Sequence, residues 1–163
     1  MRNKYYLLAL LCLALLSLSA CKKADPEPPE TKQPTFRKDG ELTITSPQGA
    51  HRGTFEIEIA ETEASTARGL MFRENLQQNQ GMLFIFDGAQ PYPFWMKDTY
   101  LSLDMLFIDA DGVIFQIEEK TTPFSEHLID VNGLNKYTLE VNAGVVQKLG
   151  IQVGDTIEWN RNQ

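Results

Sequence analysis

Residues 81–86 read GMLFIF, an almost unbroken apolar run. A run of this kind is typical of a β-strand that is buried on both faces, or that lines the core of a barrel. Further along the chain, residues 101–109 (LSLDMLFID) and 113–119 (VIFQIEE) flank a tight turn at residues 110–112 (ADG). This arrangement predicts two strands joined as a hairpin.

On the N-terminal side of this run, residues 41–46 (ELTITS) and 54–60 (TFEIEIA) alternate strictly between apolar and polar side chains. Alternation with a period of two predicts a hairpin, or a pair of neighbouring strands, with one face in solvent. We expect Phe55, Ile57 and Ile59 to face the core.

Two short helices are predicted from their end signals. Thr62 is a candidate N-cap for a helix over residues 62–68, which Gly69 ends or weakens. A second helix, of one or two turns, is predicted before Gly150. The remaining segments are a loop-like stretch and two strands, at residues 122–135, 137–141 and 156–159.

These elements show no internal repeat and no alternation of strands with helices, so a parallel sheet is not expected. The sequence predicts a mainly β fold over residues 41–160, a compact antiparallel sheet or barrel-like single domain with one or two short helices. The composition, 42% hydrophobic and 23% charged in 163 residues, agrees with one globular domain plus short appendages. It excludes collagen-like, low-complexity and fully disordered chains.

The N-terminal segment is predicted to be a signal peptide. Arg2 and Lys4 precede an apolar run over residues 5–18 that is shorter than the roughly 20 residues of a membrane-spanning helix. The next residues, 18–21 (LSAC), resemble a bacterial lipobox, which implies cleavage after residue 20 and acylation of Cys21. The alternative is an uncleaved anchor in which this cysteine is incidental.

The segment after the signal is predicted to be a tether over residues 21–40. Its proline- and glutamate-rich part, residues 24–34 (ADPEPPETKQP), favours an extended, solvated chain. Resemblance to the enterobacterial sorting rule, with Lys22 after the acylated cysteine, implies the outer membrane. We therefore expect a lipid-anchored protein of the cell envelope, with the membrane as a partner through Cys21.

Charge and cysteine positions exclude several classes of function. Removal of residues 1–20 takes away two bases and no acid, which leaves a net charge of -9 and makes nucleic acid an unexpected partner. Both cysteines lie in the first 21 residues, so the domain has no disulfide and no thiol nucleophile. His51 and His127 fall in predicted turns, without the spacing of a metal site. No cofactor and no metal are expected.

Six motifs follow one another along the domain: residues 68–73 (RGLMFR), 81–86, 94–99 (FWMKDT), 103–109 (LDMLFID), 137–140 (YTLE) and 149–155 (LGIQVGD). Over residues 54–159 this series resembles DUF192, a family of uncharacterised small bacterial and archaeal proteins. The resemblance implies a compact β-rich domain and does not supply a reaction. Many relatives carry Asn in place of Asp98 and a proline near Ser102, and others carry a cysteine pair in the loop aligned with residues 121–134.

Charged residues embedded in apolar strands leave two interpretations open, because buried charge is costly unless it is paired. In the structural interpretation, Arg73 or Arg68 bridges Asp104 or Glu140, and Lys97 pairs with Asp98. In the other interpretation, a polar pocket has Trp95 as its floor and Arg73, Lys97, Asp98 and Asp104 as its walls. Residues 70–72 (LMF) are expected to pack under the sheet and to place both arginines near a rim.

The aromatic residues after Pro91 suit recognition of a sugar or peptide, since ring faces supply contact area beside polar neighbours. Alternatively, Phe94 and Trp95 fill the core while Tyr92 and Tyr100 cover it. The methionines at positions 71, 82, 96 and 105 are expected to fill the core rather than bind copper.

From these residues we expect a non-enzymatic module that binds a small polar ligand, a glycan or a partner protein through residues 91–104 and the arginine rim. Two alternatives remain: a hydrolase or transferase that uses Asp98 and Asp104 as acid and base, and a purely structural envelope protein. The candidate binding residues are Arg68, Arg73, Tyr92, Trp95, Lys97, Asp98, Asp104 and Glu140.

Overall fold

The structure, a computed structural model, describes residues 34–162. These form one seven-stranded sheet and two short helices. In chain order the elements are β1 (Gly40–Thr45), β2 (His51–Ala60), α1 (Glu63–Arg68), β3 (Gln80–Gln90), β4 (Leu103–Ile108), β5 (Ile114–Glu118), β6 (Asn135–Asn142), α2 (Val145–Leu149) and β7 (Thr156–Arg161). The prediction of a mainly β domain with two short helices is confirmed.

The strand order across the sheet is β5-β4-β6-β3-β2-β1-β7. Neighbouring strands are antiparallel except β2 and β3, which run parallel. A parallel pair needs a crossover connection, and α1 with the loop that follows it provides this connection. The sheet is therefore mixed, where the sequence predicted mainly antiparallel pairing.

The sheet is not closed into a barrel. Its two edge strands approach each other at one corner, where Val113 and Thr156 form an isolated bridge. Backbone hydrogen bonds from Ile114 to Asp155 (2.9 Å) and from Ile157 to Gly112 (2.8 Å) accompany the bridge. Closure would need a continuous ladder between β5 and β7, and the contact extends no further than this corner.

The central strands are buried on both faces, as residues 81–86 predicted. One face carries a core that includes Phe55, Ile57, Ile59 and Leu106, and α2 contributes to it. The opposite face carries a second core that includes Met82, Met105 and Phe107. Loop residues such as Leu70, Met96 and Ile129 cover this second face, so neither face of the central strands lies in solvent.

Local signals place both helices where they were predicted. The Thr62 side chain accepts a hydrogen bond from the backbone of Ser65 and Ser65 returns one, which forms a capping box at the start of α1. Gly150 ends α2 with φ of +65°, a left-handed conformation that glycine adopts without strain.

The predicted signal peptide, Cys21 and most of the predicted tether lie outside the described residues. Residues 34–39 are described, and their last members belong to the folded body: the Asp39 backbone N–H donates to Ile57 O at 2.8 Å, and its carboxylate accepts from Ile59 N at 2.9 Å. Within residues 34–162, no helix has the length and apolar character to cross a bilayer.

Candidate functional site

A cavity of about 300 Å³ opens between α1 and the loop-covered face of the sheet. We call it the aromatic pocket. Its walls come from α1 and the residues after it, from β3, from residues 92–95 with Thr99, and from β6. The lining residues are Glu63, Thr66, Ala67, Arg68, Gly69, Leu70, Met71, Phe84, Phe86, Tyr92, Pro93, Phe94, Trp95, Thr99 and Glu140.

Glu140 is the buried carboxyl group of this pocket. It lies in the middle of β6, directly opposite Met82 of β3 on one side and Met105 of β4 on the other. Its side chain is 4% exposed, and no described residue forms a hydrogen bond or ion pair with its carboxyl group. Burial raises the pKa of Glu140 to about 8.

A glycine permits the close approach of the strands around Glu140. A Cβ atom at Gly81 would lie 2.7 Å from the backbone oxygen of Glu140, well inside contact distance. Gly69 serves a similar purpose at the other wall, where the chain turns with φ of +48° against the ring of Phe84. The glycines of two sequence motifs therefore shape the pocket rather than contribute chemistry to it.

The aromatic walls hold one another in place. Phe86 and Tyr92 are stacked, with ring centroids 4.0 Å apart, and Phe84 meets Phe94 edge to face at 5.1 Å. The segment that carries Tyr92 and Phe94 is pinned by two backbone contacts: Tyr92 N donates to the Asn135 side chain at 2.9 Å, and Phe94 forms a bridge with Ile129. The pocket is largely preformed as a result.

Trp95 is 43% exposed and stands at the pocket with Lys97 Nζ 5.2 Å from its ring centroid. The interpretation in which Trp95 fills the core is therefore wrong, whereas Phe94 does pack against the second core. Phe72, expected under the sheet, is 45% exposed and has a φ of +62°, while Leu70 is buried as predicted.

Arg73 is buried in an ion pair that the sequence did not predict. Its Nη2 donates to Glu58 Oε2 at 2.5 Å, and Glu58 Oε1 accepts from the backbone N–H of Arg37 at 2.6 Å. The expected partners, Asp104 and Glu140, are not the residues that it contacts. A second cavity of about 300 Å³ borders this pair and shares Arg68 with the aromatic pocket.

Asp104 lies on the other face of the sheet from Glu140. It is fully buried, and its two carboxylate oxygens accept the backbone N–H groups of Lys120 (2.9 Å) and Val146 (3.0 Å). It therefore fixes the start of α2 to the sheet. Asp98 lies in a loop outside the pocket lining, and within residues 34–162 it forms no ion pair with Lys97.

Four of the eight candidate residues converge on the aromatic pocket: Arg68, Tyr92, Trp95 and Glu140. The structure does not bring Arg73, Lys97, Asp98 or Asp104 into its lining. Sequence reasoning missed Phe84 and Phe86, although the period of two places both on the face of β3 that carries Met82. It also missed Glu58, because alternation predicted a solvent face where loops cover the sheet.

Histidine and carboxylate groups do not cluster in the described part of the chain: no group of three or more residues there has the arrangement of a metal site. His51 and His127 are both exposed.

Comparison with known proteins supports the family that the motifs indicated. The DUF192 family, described as an uncharacterized ACR, matches residues 43–159. A UPF0127 protein of Thermococcus sibiricus is 28% identical over 111 residues, which are 65% of this chain and 67% of that protein.

Two solved structures share the fold. One, from Sinorhizobium meliloti 1021, is provisionally described as a transcription regulator; it is 37% identical with a TM-score of 0.73, and the match covers 77% of this chain and 97% of that one. The other, a protein of unknown function from Novosphingobium aromaticivorans DSM 12444, is 34% identical with a TM-score of 0.69, over 73% and 84% of the two chains. Because the family match spans well over half of its length, this chain belongs to the DUF192 family.

Proposed function

We propose that this chain is a lipid-anchored envelope protein whose domain binds a small ligand in the aromatic pocket and catalyses no reaction. The observation that carries the proposal is the buried, unpartnered carboxyl group of Glu140 in a cavity walled by aromatic rings. A site of this kind, largely apolar with few polar groups, is typical of small-molecule binding.

The missing partner of Glu140 has an energetic cost. A buried polar group without a partner costs roughly 1–3 kcal/mol of folding stability, and an ionised one costs more. An apolar residue at this position would extend the contact between Met82 and Met105 without that cost. A ligand that supplies the missing hydrogen bond or charge removes this unfavourable free energy when it binds. The buried carboxyl group of Glu140 therefore favours ligand binding.

The absence of a matched acid–base pair argues against catalysis by the two aspartates. Asp104 is engaged by two backbone N–H groups on the far face of the sheet, and Asp98 lies outside the pocket lining. Glu63, the other carboxylate of the lining, is exposed on α1. General acid–base chemistry needs groups within hydrogen-bond reach of one substrate.

The test of ligand binding uses the full-length chain in a ligand-observed NMR screen of small polar and aromatic compounds. Trp95→Ala removes a wall of the pocket, and Tyr100→Ala is its matched control, because Tyr100 is 42% exposed and lies outside the lining. We expect compounds that bind the wild type and the Tyr100 variant but not the Trp95 variant. Equal binding by both variants would show that the aromatic pocket is not a binding site and would contradict the proposal.

The envelope part of the proposal rests on the sequence of residues 1–34, above all on the lipobox-like residues before Cys21. The outer membrane is the proposed location. Metabolic labelling with a fatty acid is expected to mark the wild-type protein and to be lost in Cys21→Ser. Cys12→Ser is the matched control and should stay labelled; labelling of both variants, or of neither, contradicts lipidation at Cys21.

A further inference from the structure

We infer that the ligand of the aromatic pocket is a small organic monocation, an ammonium group on an apolar body, whose charge pairs with the Glu140 carboxylate. This inference rests on the proposed function and adds the chemical class of the ligand.

The neighbouring side chains in the sheet supply no positive charge to Glu140, so only a group inside the pocket can neutralise its carboxylate. The register of the sheet places Glu58, Met82, Glu140 and Met105 in one row across β2, β3, β6 and β4. The thioether side chains on either side supply no charge. Arg73, which is buried beside this row, pairs with Glu58 and not with Glu140.

The remaining charged groups near the cavity lie at its mouth or beyond a neighbouring strand. Glu63 and Arg68, both exposed on α1, line the outer part of the pocket. Glu118, opposite Met105 on β5, is exposed at the sheet edge. A positive charge inside the pocket therefore finds its partner in Glu140, and Arg68 disfavours a second positive charge at the outer end of the ligand.

The walls favour the same class. Aromatic ring faces attract cations, and the attraction is largest when the cation is desolvated. Phe84, Phe86, Tyr92, Phe94 and Trp95 supply the rings of this cavity. The outer surface shows the attraction already, since Lys97 Nζ lies over the Trp95 ring at 5.2 Å. A buried carboxylate within aromatic walls suits an ammonium group better than an anion or an uncharged sugar.

Binding of a cation at Glu140 is expected to depend on pH in a characteristic way. Because burial raises the pKa of Glu140 to about 8, a permanent cation must displace a proton to bind at lower pH. Its affinity is therefore expected to rise about tenfold per pH unit as the pH approaches 8, and to level off above it. A neutral ligand that accepts a hydrogen bond from the protonated carboxyl group would show the opposite trend.

The experiment compares benzyltrimethylammonium with neopentylbenzene, its uncharged carbon isostere, on the full-length wild-type chain. We expect the cation to bind at least about tenfold more tightly at pH 8, and to lose that advantage as the pH falls to 6. Glu140→Gln keeps the shape of the side chain and is expected to abolish the preference for the cation. Trp95→Ala is expected to weaken both probes.

The inference is overturned if the isostere binds as tightly as the cation, if neither probe binds, or if Glu140→Gln keeps the preference for the cation. The wild-type comparison of the two probes and its pH dependence need no variant, so a poorly folded variant leaves the inference testable. If neutral compounds from the screen bind in a Trp95-dependent way and the cation shows no preference over its isostere, the inference fails and the proposed function stands. If no compound depends on Trp95, the proposed function fails as well.

Discussion

The backbone N–H of Phe72 donates to the carbonyl oxygen of Asp98 at 2.9 Å, and both residues have positive φ angles, +62° and +51°. The bond joins the segment that follows α1 to the segment that follows Trp95. Neighbours of both residues, Met71 and Thr99, line the aromatic pocket, so two left-handed residues fix the relative positions of its walls. Left-handed backbone costs a residue with a Cβ atom roughly 1–2 kcal/mol, which the surrounding contacts must offset.

The strain at Asp98 predicts an order of stability. Asp98→Gly relieves the left-handed strain at some cost in chain entropy, so we expect the free energy of unfolding to rise by about 0.5 kcal/mol. The Asp98→Ala variant has no side-chain oxygen to support this conformation, so its free energy of unfolding should fall by about 1 kcal/mol. Urea denaturation measures both. An Ala variant at least as stable as the Gly variant would show that position 98 is not strained.

Burial of Glu140 predicts a pH-dependent difference between the wild type and Glu140→Gln. The pKa of Glu140 is raised from 4.5 to about 8 in the folded state, so between these values the folded protein keeps a proton that the unfolded chain has released. The unfolding free energy of the wild type should therefore fall, relative to the Gln variant, as the pH rises through this window. The change should approach about 4–5 kcal/mol and stop above pH 8.

Denaturation of both proteins at a series of pH values checks this prediction. A difference in stability that stays constant from pH 4.5 to pH 8 would show that the Glu140 carboxyl group titrates normally. Use of the difference between the two proteins removes the contributions of the other titratable groups, which both chains share.

Asp104 is predicted to serve stability and not binding. Asp104→Ala leaves the buried N–H group of Val146 and the partly buried N–H group of Lys120 without acceptors, at a cost of about 2–4 kcal/mol. Asp109 is the matched control, because it also accepts two backbone N–H groups, from Asp111 and Val113, in a turn open to water. Asp109→Ala should cost less. In conditions where the Asp104 variant is folded, we expect it to bind ligands as the wild type does. Loss of binding by the folded variant would show that Asp104 takes part in binding.

The Arg73–Glu58 pair is predicted to be strongly coupled. Removal of one partner leaves an uncompensated buried charge, so Arg73→Met alone should cost about 3–5 kcal/mol, and the double variant Arg73→Met with Glu58→Gln should recover much of it. A double-mutant cycle measures the coupling energy. The exposed pair of Arg161 and Glu61 is the control and should show a small coupling that salt screens. Equal couplings for the two pairs would contradict the assigned burial.

Local patterns predicted the elements of this fold well, because each pattern reports short-range physics. Thr62 and Gly69 marked the ends of α1, and Gly150 marked the end of α2. Alternation in β2 predicted which side chains are buried on one face, with Phe55 and Ile57 among them. Such signals depend on neighbours within a few residues and are therefore visible in the sequence.

The partners of the charged residues were not predictable in the same way. The parallel pairing of β2 with β3, and the loops that cover the second face, are long-range features that bury Glu58 and bring Arg73 to it. Successive side chains of a strand point to opposite faces of the sheet. The register pairs Glu140 with Met105, so Asp104, the residue before Met105, lies on the other face. Register between distant strands is set by packing across the whole sheet, so the sequence left the structural and pocket interpretations open.

The pairing of Glu140 with a bound cation is tested by the carboxyl ¹³C resonance of Glu140, followed through a pH titration of the full-length chain with and without benzyltrimethylammonium. We expect a pKa of about 8 for the free protein and a lower pKa when the cation saturates the pocket, because the bound charge stabilises the carboxylate. The same pKa in the presence and absence of the cation would contradict it.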